Sequence, residues 1–239
     1  MNMKAILKTF IALSILSVGI LTYGQETINR KIDSFKGLSL TGNIRVELYK
    51  SDNPGVEITL KDLPAENVIT EVKDEKLNIR LKSGSNKNAV IKVKVFYTNL
   101  ENLLVSTSGL IVSSEVITGK NIHFVARSGG KMELELNLEE LKADVDLGAI
   151  LVFKGKVKKQ VVSATTGATY SAFPLKAEDS YVKAGSGGKA KLTASRIIEA
   201  NSNSGGYIAY IGDPVSETTK TSLGGEIKKF KTEDAVDIE

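Results

Sequence analysis

Residues 126–135 read Ala126-Arg127-Ser128-Gly129-Gly130-Lys131-Met132-Glu133-Leu134-Glu135, and residues 145–154 read Val145-Asp146-Leu147-Gly148-Ala149-Ile150-Leu151-Val152-Phe153-Lys154. A shift of 19 residues lays one stretch on the other. Glycine keeps its place, a small residue follows it, and apolar side chains return at alternate positions. The same unit continues outward through Gly109, Gly129, Gly148, Gly167, Gly187, Gly205 and Gly224, with spacings of 20, 19, 19, 20, 18 and 19 residues. A fixed period of this size marks a solenoid, in which each coil buries its apolar face only by stacking on its neighbours.

The columns beside the glycine set the register. After the turn lie Val112, Met132, Leu151, Tyr170, Ala190, Ile208 and Ile227, and two residues further on lie Ser114, Leu134, Phe153, Ala172, Leu192, Tyr210 and Lys229. Before it lie Ser106, Ala126, Val145, Ala164 and Ala184, preceded by Leu104, Phe124, Ala143, Val162 and Val182. Period-two alternation on both sides predicts strand, glycine turn, strand and return in each coil. Ser or Thr precedes several of the glycines, at positions 108, 128, 166, 186 and 204. Such a turn supplies positive φ. It is read as scaffolding, although successive backbone N–H groups of this kind also form anion nests.

Composition narrows the classes of function. The chain of 239 residues has no cysteine and one histidine, which excludes disulfides and thiolate metal sites. Lys4 and Lys8 precede an apolar stretch from Phe10 to Leu21, and Tyr23-Gly24 then offers a cleavage point, so residues 1–24 read as a secretory signal. The competing reading is an uncleaved N-terminal anchor, the one route by which this chain would engage a membrane. The remaining 215 residues carry 30 basic and 28 acidic side chains. That balance argues against nucleic acid as a partner. Lys154, Lys156, Lys158 and Lys159 are read as a solvated return loop.

Residues 25–100 lack the glycine period but alternate as strands do. Gly37 to Tyr49, Val56 to Leu60, Lys76 to Leu81 and Val90 to Tyr97 read as strands, with a turn at Asn53-Pro54-Gly55. Residues 62–72 read as one short helix with Asp62 as its N-cap. The organisation expected is one domain over 25–239. Residues 25–100 form initial coils or a cap, 101–229 form the glycine-turn coils, and 230–239 form an acidic tail.

Phe35-Lys36-Gly37-Leu38 opens a strand through Gly42-Asn43-Ile44. Val93-Lys94-Val95-Phe96-Tyr97 leads through Leu100, Leu103 and Leu104 into Ser106-Thr107-Ser108-Gly109, and Ser-Gly-Gly turns follow. In that order the segments resemble the DUF2807 family of putative auto-transporter adhesins, head GIN domain, whose secreted members are common in Bacteroidetes. The resemblance spans residues 35–225. It implies an all-β, right-handed, single-stranded parallel β-helix, with no established enzymatic activity. The many strands of an autotransporter's membrane barrel have no counterpart in the sequence.

No residue pattern marks a catalytic centre, a metal site or a cofactor. His123 is read as a strand or corner residue. Asp144 and Asp146 share a strand face, with Val125 and Arg127 on one side and Ser163 and Thr165 on the other. They are read as salt-bridged or solvated acids, against the alternative of a polysaccharide-active β-helix enzyme. The outward columns carry more information. They are polar at Lys131, Glu133, Glu135, Lys189 and Lys191, but apolar at Ile111, Ile150, Val152, Tyr207 and Ala209. Ile150, Val152 and Tyr207 are therefore the candidate contact residues, unless a neighbouring segment covers them. Tyr181 and Tyr207 are the aromatic candidates for stacking on a glycan. The expected function is an exported, non-enzymatic, adhesin-like binding protein of the envelope, periplasm, cell surface or medium. Its partner would be a surface glycan, a protein or another copy of itself.

Overall fold

The computed structural model describes residues 26–61, 63–84 and 90–231. The part before the glycine coils supplies seven strands among the described residues: β1 (Glu26–Lys31), β2 (Gly37–Thr41), β3 (Arg45–Lys50), β4 (Gly55–Lys61), β5 (Val68–Lys73), β6 (Lys76–Leu81) and β7 (Val90–Tyr97). The expected helix over 62–72 is a single 3-10 turn, Ala65–Asn67, followed at once by β5. Pro64 holds an extended backbone, and the β-branched run Val68-Ile69-Thr70 pairs antiparallel with β6. Sheet pairing outweighs local helical propensity there. Asp62 lies outside the described residues, as do residues 1–25 and 232–239.

The periodic part follows as β8 (Asn102–Ser106), β9 (Leu110–Ser113), β10 (Ile117–Ala126), β11 (Lys131–Val145), β12 (Ile150–Ala164), β13 (Thr169–Ser171), β14 (Leu175–Ala184), β15 (Lys189–Thr193), β16 (Ile197–Ser202), β17 (Tyr207–Ile211), β18 (Ser216–Thr221) and β19 (Glu226–Phe230). Each coil stacks in parallel on the next, and the 19 strands of the described residues join one sheet. The fold is an all-β parallel solenoid. Two of its faces matter below. The approach face is formed by the strand segments that run into the glycine turns, the departure face by those that leave them. The four lysines from Lys154 to Lys159 lie on β12, not in a loop. Lys154 pairs with Glu135 at 3.1 Å and Lys159 with Glu140 at 3.7 Å.

The turns explain the glycine column. Ser128 and Gly129 both have positive φ, 51° and 72°, and Gly130 N–H donates to the Arg127 carbonyl at 3.0 Å. That is a type I′ turn, which needs left-handed backbone at both central residues. Leu147-Gly148 and Thr166-Gly167 repeat it, with φ of 53° and 69°, then 48° and 70°. The glycine N–H groups are spent on stacking: Gly129 donates to Leu147 O, Gly148 to Thr166 O and Gly167 to Ser186 O, each at 3.1 Å. These amides are committed to the next coil, so the turns serve as scaffolding and not as anion nests.

The first glycine coil differs from the sequence register by one residue. Lys131 pairs with Leu110 and Met132 with Ile111. Gly109 therefore occupies the place of Gly130, and Ser108 takes the left-handed slot with φ 60°. Serine tolerates that conformation well enough to replace glycine, so the glycine moved to the position where side-chain space is scarcest. A Cβ on Gly109 would lie 3.0 Å from Gly42 O. Leu103, Val105 and Ile111 consequently face the core, while Leu104, Ser106 and Ser114 face outward and Val112, on the outer side of its strand, is nevertheless buried. Ile111, expected outward, is fully buried.

The two ends of the solenoid are closed differently. At the first end, β6 and β7 stack on β2 and β3, which stack in turn on β8 and β9. The chain thus lays β6 and β7 on one side of β2 and β3, and β8 and β9 on the other. β4 then pairs antiparallel with β7, β1 with β4 and β5 with β6, which covers that end. At the other end the last coil changes composition in the core columns. Ile198 is followed by Glu217, Ala200 by Thr219, Ser202 by Thr221 and Tyr210 by Lys229.

One apolar core runs from Phe35 to Tyr210. Phe153 sits within it, its ring 4.8 Å from that of Phe124 and 5.9 Å from that of Tyr170. The core also holds a polar chain. Tyr170 OH donates to Gln160 Oε1 at 2.7 Å, Gln160 Nε2 donates to Ser180 Oγ at 2.8 Å, and Ser180 OH donates to Thr193 O at 2.8 Å. Burial raises the Tyr170 pKa well above its ordinary value. The proton is then held in the folded state and lost first in the unfolded one, so this stability is complete below pH ~10 and declines above it by ~1.4 kcal/mol per pH unit. We expect the urea midpoint of the native chain to fall more steeply between pH 10 and 11 than that of Tyr170→Phe. Parallel declines in the two proteins would show that Tyr170 does not contribute in this way.

Candidate functional site

The departure face is a flat sheet whose outward side chains form two long columns. One runs Lys131, Ile150, Thr169, Lys189, Tyr207 and Glu226; the other runs Val112, Glu133, Val152, Ser171, Lys191 and Ala209. Alternation along β12 sends Leu151 and Phe153 inward and leaves Ile150 and Val152 pointing out, 37% and 38% exposed. They stand side by side, flanked on the next strand by the Lys131–Glu133 ion pair at 2.5 Å. Val152 also lines a shallow groove of about 740 Å³ with Arg45, Glu47, Val112, Glu133 and Lys154. An aliphatic pair bordered by charge on one strand and by Thr169 and Ser171 on the other is what a solvated sheet face does not need for its own stability.

Tyr207 lies on the same column as Ile150 but three rungs away, with Thr169 and Lys189 between them. It is half-buried and packs against a second, smaller apolar cluster formed by Phe173, Ala209, Ile211 and Phe230. Lys228 Nζ stands 5.9 Å from its ring centre. Phe173 reaches it from the bend before β14, a neighbour that a per-coil reading of the columns does not include. Ile150 and Val152 are thus brought together, and Tyr207 stands apart from them.

On the approach face, His123 Nε2 lies 2.6 Å from Asp144 Oδ2, and Lys142 Nζ lies 3.2 Å from the same oxygen. The sequence reading paired neither with Asp144. The signal was present: His123 stands opposite Lys142 in the ladder, two residues short of Asp144. The adjoining groove, about 670 Å³, is lined by His123, Lys120, Lys142, Glu101, Glu140 and Asn121, with no hydroxyl or thiol among its described residues. Asp146 has a different task. Hydrogen bonds from Thr166, from the Thr165 hydroxyl and from the Leu147 N–H hold its carboxyl below the ordinary carboxylate range. It braces the Leu147-Gly148 turn. Among the described residues, no three His, Asp or Glu side chains converge as metal ligands do.

A family model for the putative auto-transporter adhesins, head GIN domain, matches residues 34–214. The chain belongs to the DUF2807 family. Solved structures of similar fold include a putative adhesin from Bacteroides fragilis, 16% identical, with a TM-score of 0.76 over 87% of this chain and 97% of that one. A putative adhesin from Parabacteroides merdae is 18% identical, with a TM-score of 0.70 over 86% and 96%. A putative lipid binding protein from Parabacteroides distasonis is 21% identical, with a TM-score of 0.72 over 87% and 98%. At these identities the likeness is one of fold. No curated protein matches the chain. In this DUF2807 protein no helix among the described residues is long and apolar enough to cross a membrane.

Proposed function

We propose that this DUF2807 protein is an exported, non-enzymatic, adhesin-like module that holds a glycan or protein partner at the bacterial envelope or surface through its departure face. The observation that carries the reading is the exposed pair Ile150 and Val152 on a rigid parallel sheet. A solenoid face is regular and extended, which suits a long or flat partner. Tyr207 marks the far margin of the same face. Membership of an adhesin-named family and the fold of two structures described as putative adhesins support binding over catalysis.

Ile150→Lys combined with Val152→Lys tests this. Both side chains are exposed, so stability should change by no more than about 0.5 kcal/mol per site. Retention of an envelope partner, measured by pull-down and glycan array, should disappear. A double variant that melts with the native protein and still retains every partner would remove the departure face from consideration. A native protein that sediments as a dimer, with the variant monomeric, would instead make a second copy the partner. Polysaccharide turnover lost in Asp144→Asn would replace binding with catalysis.

A further inference from the structure

We propose a second binding site, on the approach face, for an acidic glycan. It is independent of Ile150 and Val152, which lie across the turns on the other face. The site is a groove of about 520 Å³ that crosses five successive rungs. Two outward columns build it. One places Val161 and Tyr181 on adjacent rungs, followed by Glu199 and Thr218. The other runs Asp144, Ser163, Lys183, Asn201 and Lys220. The groove therefore has an apolar patch, Val161 and Tyr181, at one end of the first column, and hydrogen-bonding groups at Glu199 and Thr218 beyond it and along the whole second column.

That division matches the two surfaces of a sugar ring. Its C–H face packs on an aromatic or branched aliphatic side chain, and its hydroxyl edge takes hydrogen bonds from amide, hydroxyl and carboxylate groups. Tyr181 and Val161 supply the first. Asn201, Ser163 and Glu199 supply the second, and none of these three side chains makes a hydrogen bond or ion pair within the described residues. Charge then selects the kind of glycan. Asp144 is already bonded to His123 and Lys142. Lys183 and Lys220 have no ion-pair partner among the described residues. They stand two rungs apart in one column, about 10 Å at the usual strand spacing. Lys159, whose charge is met by Glu140, stands 6.0 Å from the centre of the Tyr181 ring at the edge of the groove. With Glu199 as the sole unpaired acid of these columns, the groove is positive. Carboxylate or sulfate groups repeated along a glycan would meet Lys183 and Lys220 in turn.

The test is retention of the purified protein on immobilised alginate, polygalacturonate and chondroitin sulfate, with dextran as the neutral control. Retention on at least one acidic polymer and not on dextran is expected, weakening as salt screens the lysines. Lys183→Gln with Lys220→Gln should weaken it about tenfold (1.4 kcal/mol), and Tyr181→Ala should weaken it comparably. Ile150→Lys with Val152→Lys should leave it unchanged, which separates this site from the departure face. Circular dichroism melts confirm that each variant is folded. Retention on none of the acidic polymers overturns the proposal. So does equal retention on polyglutamate or on anionic phospholipid vesicles, since charge alone would then be the determinant. Retention that survives both the lysine and the tyrosine substitutions places the glycan elsewhere and also overturns it.

Discussion

Phe153→Ala will lower the free energy of unfolding by about 3–5 kcal/mol. Phe153 is fully buried, and its ring fills the space between Phe124 and Tyr170. Truncation removes the transfer energy of the ring and leaves a cavity. The cavity closes poorly here, because each wall is a strand fixed on both sides by its neighbours. Tyr170 cannot swing into the gap without giving up its hydrogen bond to Gln160. Equilibrium urea unfolding of the two proteins measures the difference. A loss below about 1 kcal/mol would mean that this part of the core is loosely packed.

Gly155→Ala should cost about 3 kcal/mol or more, although it adds one methyl group. Gly155 has φ 108°, outside the region open to other residues, and a Cβ there would lie 2.2 Å from the Leu136 carbonyl oxygen. That oxygen belongs to backbone and cannot move aside as a side chain would. Gly148→Ala is the control. Its φ is 69°, and nothing lies within 4 Å of the added carbon. It should cost only the left-handed penalty of roughly 1–2 kcal/mol. Equal losses in the two variants, read from the same urea series, would show that conformational preference dominates at both sites and steric contact at neither.

The contrast between these glycines shows what a sequence reveals. Gly148 is legible because its demand recurs every coil, so the period exposes it. Gly155 meets its demand inside β12, and Gly212 meets the same demand three coils later, but Leu136 and Leu175 fill that place in the coils on either side, so no period exposes it. The same reasoning covers the first coil. Ser108 accepts left-handed backbone, so the glycine there slid by one residue and carried the inferred register with it. Gln160 was hidden for another reason. It follows Lys158 and Lys159 in a polar run, yet it occupies the inward column of Ile122, Leu141, Ser180 and Ile198. Its partners, Tyr170 and Ser180, are 10 and 20 residues away and become neighbours only through the winding of the chain. Ile150 and Val152 were legible because strand alternation decides their direction locally. The cover over Tyr207 was not, because Phe173 arrives from a bend outside the repeat.

The last coil has a bearing on how many of these molecules can join. A parallel solenoid is a template for its own extension, since every rung displays what the next rung needs. Here the final rung presents Glu217, Thr219, Thr221 and Lys229 where earlier rungs present aliphatic and aromatic groups. Another copy docking end to end would have to strip water from those groups and would gain little apolar contact in return. End-to-end stacking at this tip is disfavoured by those four side chains, with Ile227 alone carrying on the apolar column of Ile208 among the core positions of the described residues, and the long faces stay free to meet partners.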